Sequence, residues 1–238
     1  MRKSSILFVF GLLLIAVMPS CRKVSGSGPV VSETRNISGF SEVKSDFSGD
    51  VYITQGSTYN VRIEAQQNII DAMETVLNDG ILTLRGKSNT ILRPDSRIRI
   101  YVTMPNITGL IVSGSGNMSV QNTLNISDLY MKVSGSGNIT VSKLDANSLD
   151  ANISGSGEIN IWDGTVANES VDIGGSGSMD LSGLRATVGN VRISGSGDAR
   201  VYVTNSLKVR ISGSGNVYYR GTPTVDVSIS GSGKLRPM

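Results

Sequence analysis

Serine residues framed by glycines are the first candidates for chemistry in this sequence. The stretch Ile173–Ser178, Ile-Gly-Gly-Ser-Gly-Ser, spaces its small residues much like the G-x-S-x-G turn that presents a nucleophilic serine in hydrolases. Such a serine also needs a strand-to-helix turn and a histidine base. Because the sequence contains no histidine, a serine hydrolase of this kind is effectively excluded, and a zinc site is disfavoured by the same absence.

The glycine-rich motifs are also weak candidates for binding calcium or phosphate. The stretch Gly174–Asp180 is close to the calcium-binding pattern G-G-x-G-x-D, but its aspartate falls one place late. The residue after each related motif varies between Asn, Glu, Ser, Asp and Lys, whereas a calcium array needs carboxylates in register. Gly-Ser-Gly can hold a phosphate where it opens a helix, but strand patterns follow it here. We therefore predict no metal and no cofactor.

Six aspartates keep an enzyme hypothesis open. Parallel β-helices often carry glycan lyases and hydrolases, and two carboxylates at a suitable separation are enough for glycoside hydrolysis. The six are Asp145, Asp150, Asp163, Asp172, Asp180 and Asp198. They occupy different phases of the repeat described below, and no arginine or lysine recurs beside them, so surface charge is the simpler interpretation. We predict no catalytic residue and keep a carbohydrate-active enzyme as the alternative.

Aromatic residues are better candidates for recognition, because an exposed amphipathic ring suits contact with a glycan or a protein. Aromatics make up only 5% of the sequence, yet several fall in its second half. The predicted interaction surface consists of Trp162, Tyr130, Tyr202 and Tyr218. Filling of the core and cover of a sheet edge are the alternative roles for the same side chains.

The first 20 residues have the pattern of a signal peptide. Arg2 and Lys3 precede an apolar run over residues 6–18. This run is too short to cross a bilayer as a helix, which needs about 20 apolar residues. We therefore predict export of the mature chain.

The segment around Cys21, the only cysteine, predicts lipid attachment. Val-Met-Pro-Ser before Cys21 resembles the lipobox of bacterial lipoproteins, with Met18 in place of the usual leucine. Cleavage before Cys21 would leave it as the lipidated N-terminus, and the alternative is an ordinary secretory signal followed by an unpaired cysteine. Residues 21–34, which include one Ser-Gly-Ser-Gly, are predicted to form a flexible tether.

Charge argues against a nucleic-acid partner. Removal of the signal takes two of the 22 basic residues and leaves 20 against 19 acidic ones, a net charge of about +1. The basic residues are scattered and form no run, unlike those of nucleic-acid-binding proteins. We predict instead a protein anchored by lipid in the bacterial cell envelope, at the outer membrane.

A repeated tetrapeptide organises the rest of the chain. Its copies begin at Ser113, Ser134, Ser154, Gly174, Ser194, Ser212 and Ser230. Steps of 21, 20, 20, 20, 18 and 18 residues indicate a solenoid with one coil per repeat. The two glycines share the inward parity of the flanking apolar residues, and the serines point outward. We interpret the tetrapeptide as a corner where an inward Cβ would collide with the opposite wall, with serine ladders outside.

The sequence before the repeats is β-rich but irregular. Alternation is clear in Val51–Thr54 and Val61–Glu64, and Asn78–Gly80 is a strong hairpin signal between two strand patterns. We predict that residues 35–110 form N-terminal coils and a cap, continuous with the repeats of 111–238. The predicted fold is all-β, a parallel β-helix of about 20-residue coils.

Several ordered blocks resemble a known family. Arg35–Phe40, Val51–Gly56, Asp79–Leu84 and Ile100–Pro105, together with the tetrapeptide series, resemble the head GIN domain, called a "putative auto-transporter adhesin head". The resemblance spans about residues 30–238. It implies a right-handed parallel β-helix on exported or lipid-anchored bacterial proteins.

The leading functional hypothesis is a non-enzymatic, lipid-anchored envelope protein. Its β-helix would present a surface for adhesion or for contact with a glycan or another envelope protein. The predicted partners are therefore the membrane, through the lipid, and a glycan or protein. The oligomeric state is left open.

Overall fold

Strands dominate residues 22–238, the part of the chain that the computed structural model describes, and Cys21 and the predicted signal lie outside it. Strands hold 66% of the residues and helix 2%. This follows from long stretches of apolar and polar alternation, which let each strand bury one face. The all-β prediction is confirmed.

The N-terminal region contains nine strands and one short helix. The elements are β1 (Arg22–Ser25), β2 (Val30–Arg35), β3 (Glu42–Asp46), β4 (Asp50–Gln55), β5 (Asn60–Gln66), α1 (Gln67–Ile70), β6 (Met73–Asn78), β7 (Ile81–Gly86), β8 (Thr90–Arg93) and β9 (Arg99–Met104). Strands β2, β5 and β9 are antiparallel neighbours. The predicted hairpin is confirmed, since β6 and β7 pair antiparallel across a turn in which Asp79 and Gly80 have positive φ.

The repeats form a parallel β-solenoid of about six turns. Its strands are β10 (Gly109–Val112), β11 (Asn117–Val133), β12 (Asn138–Ile153), β13 (Glu158–Ile161), β14 (Gly164–Ile173), β15 (Ser178–Ile193), β16 (Ala199–Ile211), β17 (Val217–Arg220), β18 (Thr224–Ile229) and β19 (Leu235–Pro237). Equivalent residues of successive coils lie side by side: Met131 pairs with Ala151, and Ala151 with Val171. The predicted solenoid with an irregular β-rich N-terminal part is confirmed.

Each coil has three walls around one apolar core. The pre-corner wall is the strand segment that enters the tetrapeptide, and the post-corner wall is the segment that leaves it. The third wall is the connector between them, which contributes buried side chains such as Leu124, Leu144, Val166 and Leu184. These apolar residues join one continuous core that also includes the N-terminal strands.

The tetrapeptides form the predicted corner, but the reason for their glycines differs from the prediction. The second glycine of each copy is buried, and the serines of the copy at Ser154 are exposed. A Cβ on Gly157 would overlap the carbonyl oxygen of Gly137, one coil earlier, and would come within 2.7 Å of Val133 Cγ1. The obstruction is therefore the neighbouring coil rather than the opposite wall.

Backbone groups, rather than serine side chains, make the hydrogen bonds along the axis at this corner. Ser156 N donates to Gly135 O at 3.0 Å, and Ser176 N donates to Gly155 O at 3.1 Å. The amide and carbonyl of each corner thus continue the ladder of the flanking strands. The predicted serine ladders are replaced by a backbone ladder.

The stack of corners begins one coil before the first tetrapeptide. Strand β3 pairs with β10, and β4 pairs with β11, so the stretch Phe47–Gly49 occupies the corner position. Asn117 N donates to Gly49 O at 2.8 Å, and a Cβ on Gly116 would overlap that same oxygen. Strands β7 and β9 extend the stack by one further strand on each of these two walls, since β7 pairs in parallel with β3 and β9 with β4.

Residues 22–34 do not form the predicted flexible tether. Strand β1 pairs in parallel with β8, and β2 pairs with β5. Asn68 holds the turn between β1 and β2, because its Nδ2 donates to Ser25 O at 2.6 Å and its Oδ1 accepts from Ser27 N at 3.1 Å. These pairings overcome the flexibility that the Ser-Gly-Ser-Gly composition predicts.

One carboxyl group lies inside the core. Glu169 on β14 is 3% exposed, and both of its carboxyl oxygens are buried without a hydrogen-bond partner in the described part of the chain. Its neighbours along the stack are Leu149 and Gly189. Burial raises the pKa of Glu169 to about 8, because an apolar interior penalises the charged form.

We predict that Gly157→Ala destabilises the solenoid by about 3 kcal/mol or more, since a methyl group there must displace the backbone of the preceding coil. The matched control is Gly174→Ser, because a Cβ at Gly174 meets nothing closer than Ser194 Oγ at 3.8 Å. Urea unfolding of both variants measures the difference. Equal midpoints for the two variants would contradict this account of the corner.

We predict that Glu169→Leu stabilises the protein at pH 7 by roughly 3 kcal/mol, since each pKa unit corresponds to about 1.4 kcal/mol. The folded carboxyl has the raised pKa, so the native protein is most stable below the ordinary glutamate pKa. Its stability falls as the pH rises from the ordinary glutamate pKa of 4.5 to the folded value of about 8, so most of the loss is already present at pH 7. Thermal unfolding between pH 5 and 9 should show this loss in the native protein and not in the variant. The exposed Glu158→Gln serves as the control, and a pH-independent native Tm would refute the prediction.

Candidate functional site

The outer face of the post-corner wall carries the candidate functional residues. Strand alternation sends every second side chain outward, and the parallel register aligns them from coil to coil. The outer column, as we name it, contains Tyr101, Tyr52, Ser119, Thr140, Asn160, Asp180, Arg200, Tyr218 and Arg236. Its middle is small and polar, and its two ends are aromatic or cationic.

At the C-terminal end of the outer column, arginines and tyrosines alternate both from coil to coil and along the outward positions of each strand. Arg200 lies beside Tyr218 on the next coil, and Tyr202 lies beside Arg220. The Arg200 guanidinium carbon is 5.4 Å from the centre of the Tyr218 ring, and that of Arg220 is 4.9 Å from the Tyr202 ring. Arg236 follows Tyr218 on the last coil. We call these five residues the Arg–Tyr grid.

The predicted aromatic residues divide between two walls. Tyr202 and Tyr218 lie on the post-corner wall within the grid. Trp162, whose exposed fraction is 58%, directly follows β13 on the same wall, but a register shift between Leu181 and Arg185 separates its repeat position from that of Tyr202. Tyr130 lies on the pre-corner wall, beside Gly109 and Asp150, so it does not share a surface with the other three.

The environment of Tyr130 is acidic. Partial burial, together with the negative charges of Asp150 and Glu42, raises the pKa of its phenol above the ordinary value. The phenol is therefore a neutral hydrogen-bonding group at physiological pH. Its wall thus differs in charge from the Arg–Tyr grid.

A second aromatic group lies at the N-terminal end of the outer column. The rings of Tyr52 and Tyr101 stack at 5.1 Å with an interplanar angle of 19°, and Arg62 lies 4.1 Å above the Tyr101 ring. These residues were not among the predicted surface residues. The alternation of Val51–Thr54 was the available signal that Tyr52 faces outward, but the pairing of β4 with β9 is needed to bring the two rings together.

Most of the six aspartates are engaged in local hydrogen bonds. Asp163 pairs with Lys143 at 3.1 Å and accepts from Gly164 N at 2.8 Å, and these partners lower its pKa, the Lys143 hydrogen bond most of all. Asp145 accepts from both Thr165 N and Thr165 Oγ1. Asp180 accepts from Ser182 Oγ at 2.6 Å.

Asp198 belongs to a series of amide and carboxylate contacts that follows the corners. Asn216 Nδ2 donates to Asp198 Oδ1 at 3.0 Å, and Asn138 Nδ2 donates in the same way to Asn117 Oδ1 at 3.0 Å. Asn117 Nδ2 donates in turn to Asp50 Oδ1 at 3.0 Å. The polar residues that follow the glycines thus link neighbouring coils.

Residues 22–238 contain no group of three or more Asp, Glu, His or Cys side chains placed to hold a metal ion. In the same part of the chain, no helix has the length and apolar character needed to span a bilayer.

The walls, corners and columns define the class of protein as a parallel β-solenoid closed at one end by an irregular β-rich cap. The chain belongs to the family described as "Putative auto-transporter adhesin, head GIN domain", whose model matches residues 39–223. The resemblance inferred from the sequence is thereby confirmed. No curated protein matches the chain.

Solved structures share the fold. A "putative adhesin" from Bacteroides fragilis has a TM-score of 0.84 at 22% identity, over 90% of this chain and 100% of that one. A "putative adhesin" from Parabacteroides merdae has a TM-score of 0.74 at 24% identity, over 91% and 99%. A "putative lipid binding protein" from Parabacteroides distasonis has a TM-score of 0.74 at 24% identity, over 91% and 100%. At these identities the likeness concerns the fold.

Proposed function

We propose that the protein is a non-enzymatic, lipid-anchored component of the bacterial cell envelope whose solenoid presents an adhesive surface to a glycan or another envelope protein. The observation that carries the proposal is the Arg–Tyr grid, an exposed set of recognition groups on a rigid stack. The family description, with its reference to an adhesin head, supports the same function.

The position of the grid suits presentation away from a membrane. Strand β1, which follows Cys21, is held at the cap by β8. From β4 at the cap to β19 there are seven strand spacings along the post-corner wall, or roughly 35 Å. A lipid on Cys21 would therefore bring the cap to the membrane and leave the grid at the far end.

The local bonding of the aspartates supports a binding protein over a carbohydrate-active enzyme. Glycoside hydrolysis requires two carboxyl groups facing one substrate, with one of them protonated as the acid. Asp163 has a lowered pKa and an ion-pair partner, which is the wrong direction for that acid. Asp145 and Asp180 accept hydrogen bonds from their own or the adjacent coil.

We predict that mass spectrometry of the mature protein finds an N-terminal Cys21 carrying acyl chains. Cys21→Ser should abolish the lipid and shift the protein from the detergent phase to the aqueous phase in detergent partition. Ser27→Ala serves as the control and should stay in the detergent phase. An uncleaved N-terminus, or a mature Cys21 without lipid, would refute the anchor.

We predict that cells displaying the full chain adhere to surfaces coated with polysaccharide or envelope extract, and that the bound polysaccharide is not degraded. Adhesion is counted under flow, and degradation is measured as new reducing ends. Release of reducing ends that is lost in Asp163→Asn and kept in Asp172→Asn would establish an enzyme instead. Failure to adhere to any coated surface would also overturn the proposal.

A further inference from the structure

We propose that the Arg–Tyr grid, together with Arg185, binds acidic polysaccharide, a glycan chain carrying carboxylate or sulfate groups. This inference rests on the proposed adhesive function and names its ligand class. The site lies on the last three coils of the post-corner wall and on the adjoining part of the third wall.

Four guanidinium groups supply the charge. Arg185, Arg200, Arg220 and Arg236 are exposed, and within residues 22–238 none of them has a carboxylate oxygen within 4 Å. Two aspartates lie near Arg200: Asp180, beside it in the outer column, whose Oδ1 accepts from Ser182 N and Oγ, and Asp198, two residues before it, whose Oδ1 accepts from Asn216 N and Nδ2. The guanidinium groups are therefore free to bind external carboxylates or sulfates through two parallel hydrogen bonds.

The tyrosine rings hold two of these guanidinium groups in place. A guanidinium that stacks on a ring keeps its N–H edge free for hydrogen bonds, because the stacking uses the face of the group and not its edge. The guanidinium carbons of Arg200 and Arg220 lie 5.4 and 4.9 Å from the centres of the Tyr218 and Tyr202 rings, within the range of a cation–π contact. Both rings are half-buried and stand on neighbouring paired strands, so less side-chain freedom remains to be lost on binding.

The spacing of the charges suits a polymer with regularly placed acidic groups. Arg200 and Arg236 lie two coils apart in one column, or about 10 Å given the strand spacing. Arg220 lies diagonally from Arg200, at a backbone separation of about 8 Å. The positions are fixed by the strand register, so the charges form a rigid zigzag instead of a mobile cationic tail.

A shallow depression beside Arg185 supplies hydroxyl groups. Arg185 pairs with Tyr202 across the coils, and it lines a depression of about 310 Å³ together with Thr165, Thr187 and Thr204. Thr165 and Thr204 donate their hydroxyl hydrogens to Asp145 and to Ala186 O, so their oxygens can accept from a sugar hydroxyl, and the Thr187 hydroxyl can both donate and accept. These hydroxyl groups favour a glycan over an anionic surface that lacks hydroxyls. The predicted mature net charge of about +1 gives no general attraction for nucleic acid.

The test is the binding of the full, detergent-solubilised protein to polygalacturonate and dextran sulfate, with neutral dextran as the reference. We expect both acidic polymers to bind and neutral dextran to bind at least tenfold more weakly. Arg200→Lys with Arg220→Lys should weaken acidic binding about tenfold, because lysine keeps the charge but loses the planar fork. Arg192→Lys, on the pre-corner wall, is the matched control and should bind as the native protein does.

The positioning role of the rings is tested separately. Tyr202→Phe keeps the stacking surface and should retain binding, whereas Tyr202→Leu should weaken binding of both acidic polymers. Thermal unfolding of each variant checks that the fold is intact, and Tyr218→Phe with Tyr218→Leu repeats the comparison if Tyr202→Leu fails to fold. Equal binding by the phenylalanine and leucine variants would overturn the role of the rings.

Three further outcomes would overturn the ligand class: equal binding of neutral dextran, unchanged binding by the double lysine variant, or tighter binding to DNA or to phosphatidylglycerol vesicles than to the acidic glycans. Failure of this inference can be distinguished from failure of the proposed function. If displaying cells still adhere when the double lysine variant is used, this inference fails and adhesion stands. If native cells adhere to nothing, the proposed function fails even where the purified protein binds acidic glycan.

Discussion

Steric exclusion between the corners of successive coils is the constraint on which the structure depends. The carbonyl oxygen of Gly137 occupies the space that a side chain on Gly157 would need, and the same relation recurs between Gly157 and Gly177. Only glycine permits this approach, and the backbone hydrogen bonds between corners require it. Each corner therefore stands directly over the previous one, and the register of every wall follows from that alignment.

Alignment converts a sequence repeat into surface columns. A residue type placed at one position of the repeat meets its counterpart about 4.8 Å away, so a small change of sequence alters a whole strip of surface. The asparagines after the corners use this spacing to bridge coils. The arginines and tyrosines of the last coils use it to form contacts between unlike side chains. The same spacing between coils thus sets both the contacts that stabilise the stack and the contacts within the Arg–Tyr grid.

The solenoid was predictable because its signals are local and repeated, whereas the missed features depend on contacts between distant segments. Parity and period were enough to place the apolar residues that flank each tetrapeptide inside the solenoid, and Met131 and Val133 are indeed buried. The stacking of Tyr52 on Tyr101 requires the pairing of β4 with β9. Residues 22–34 have a defined structure because β1 pairs with β8 and because Asn68 bonds to the turn that follows β1. The corner at Phe47–Gly49 lacks the full tetrapeptide, and a buried Glu169 contradicts the usual rule that carboxyl groups face water.

The attachment of β1 has a mechanical consequence. Solenoid strands such as β12 are bonded to neighbours on both sides, whereas β1, among the strands of residues 22–238, is bonded to β8 alone in a two-stranded sheet. We therefore expect a pulling force applied at the N-terminus to load β1 first and to release it before the coils. Its release would lengthen the connection by the span of residues 22–29, roughly 25 Å when fully extended. The segment would then act as an extensible link that limits the tension reaching the rest of the molecule.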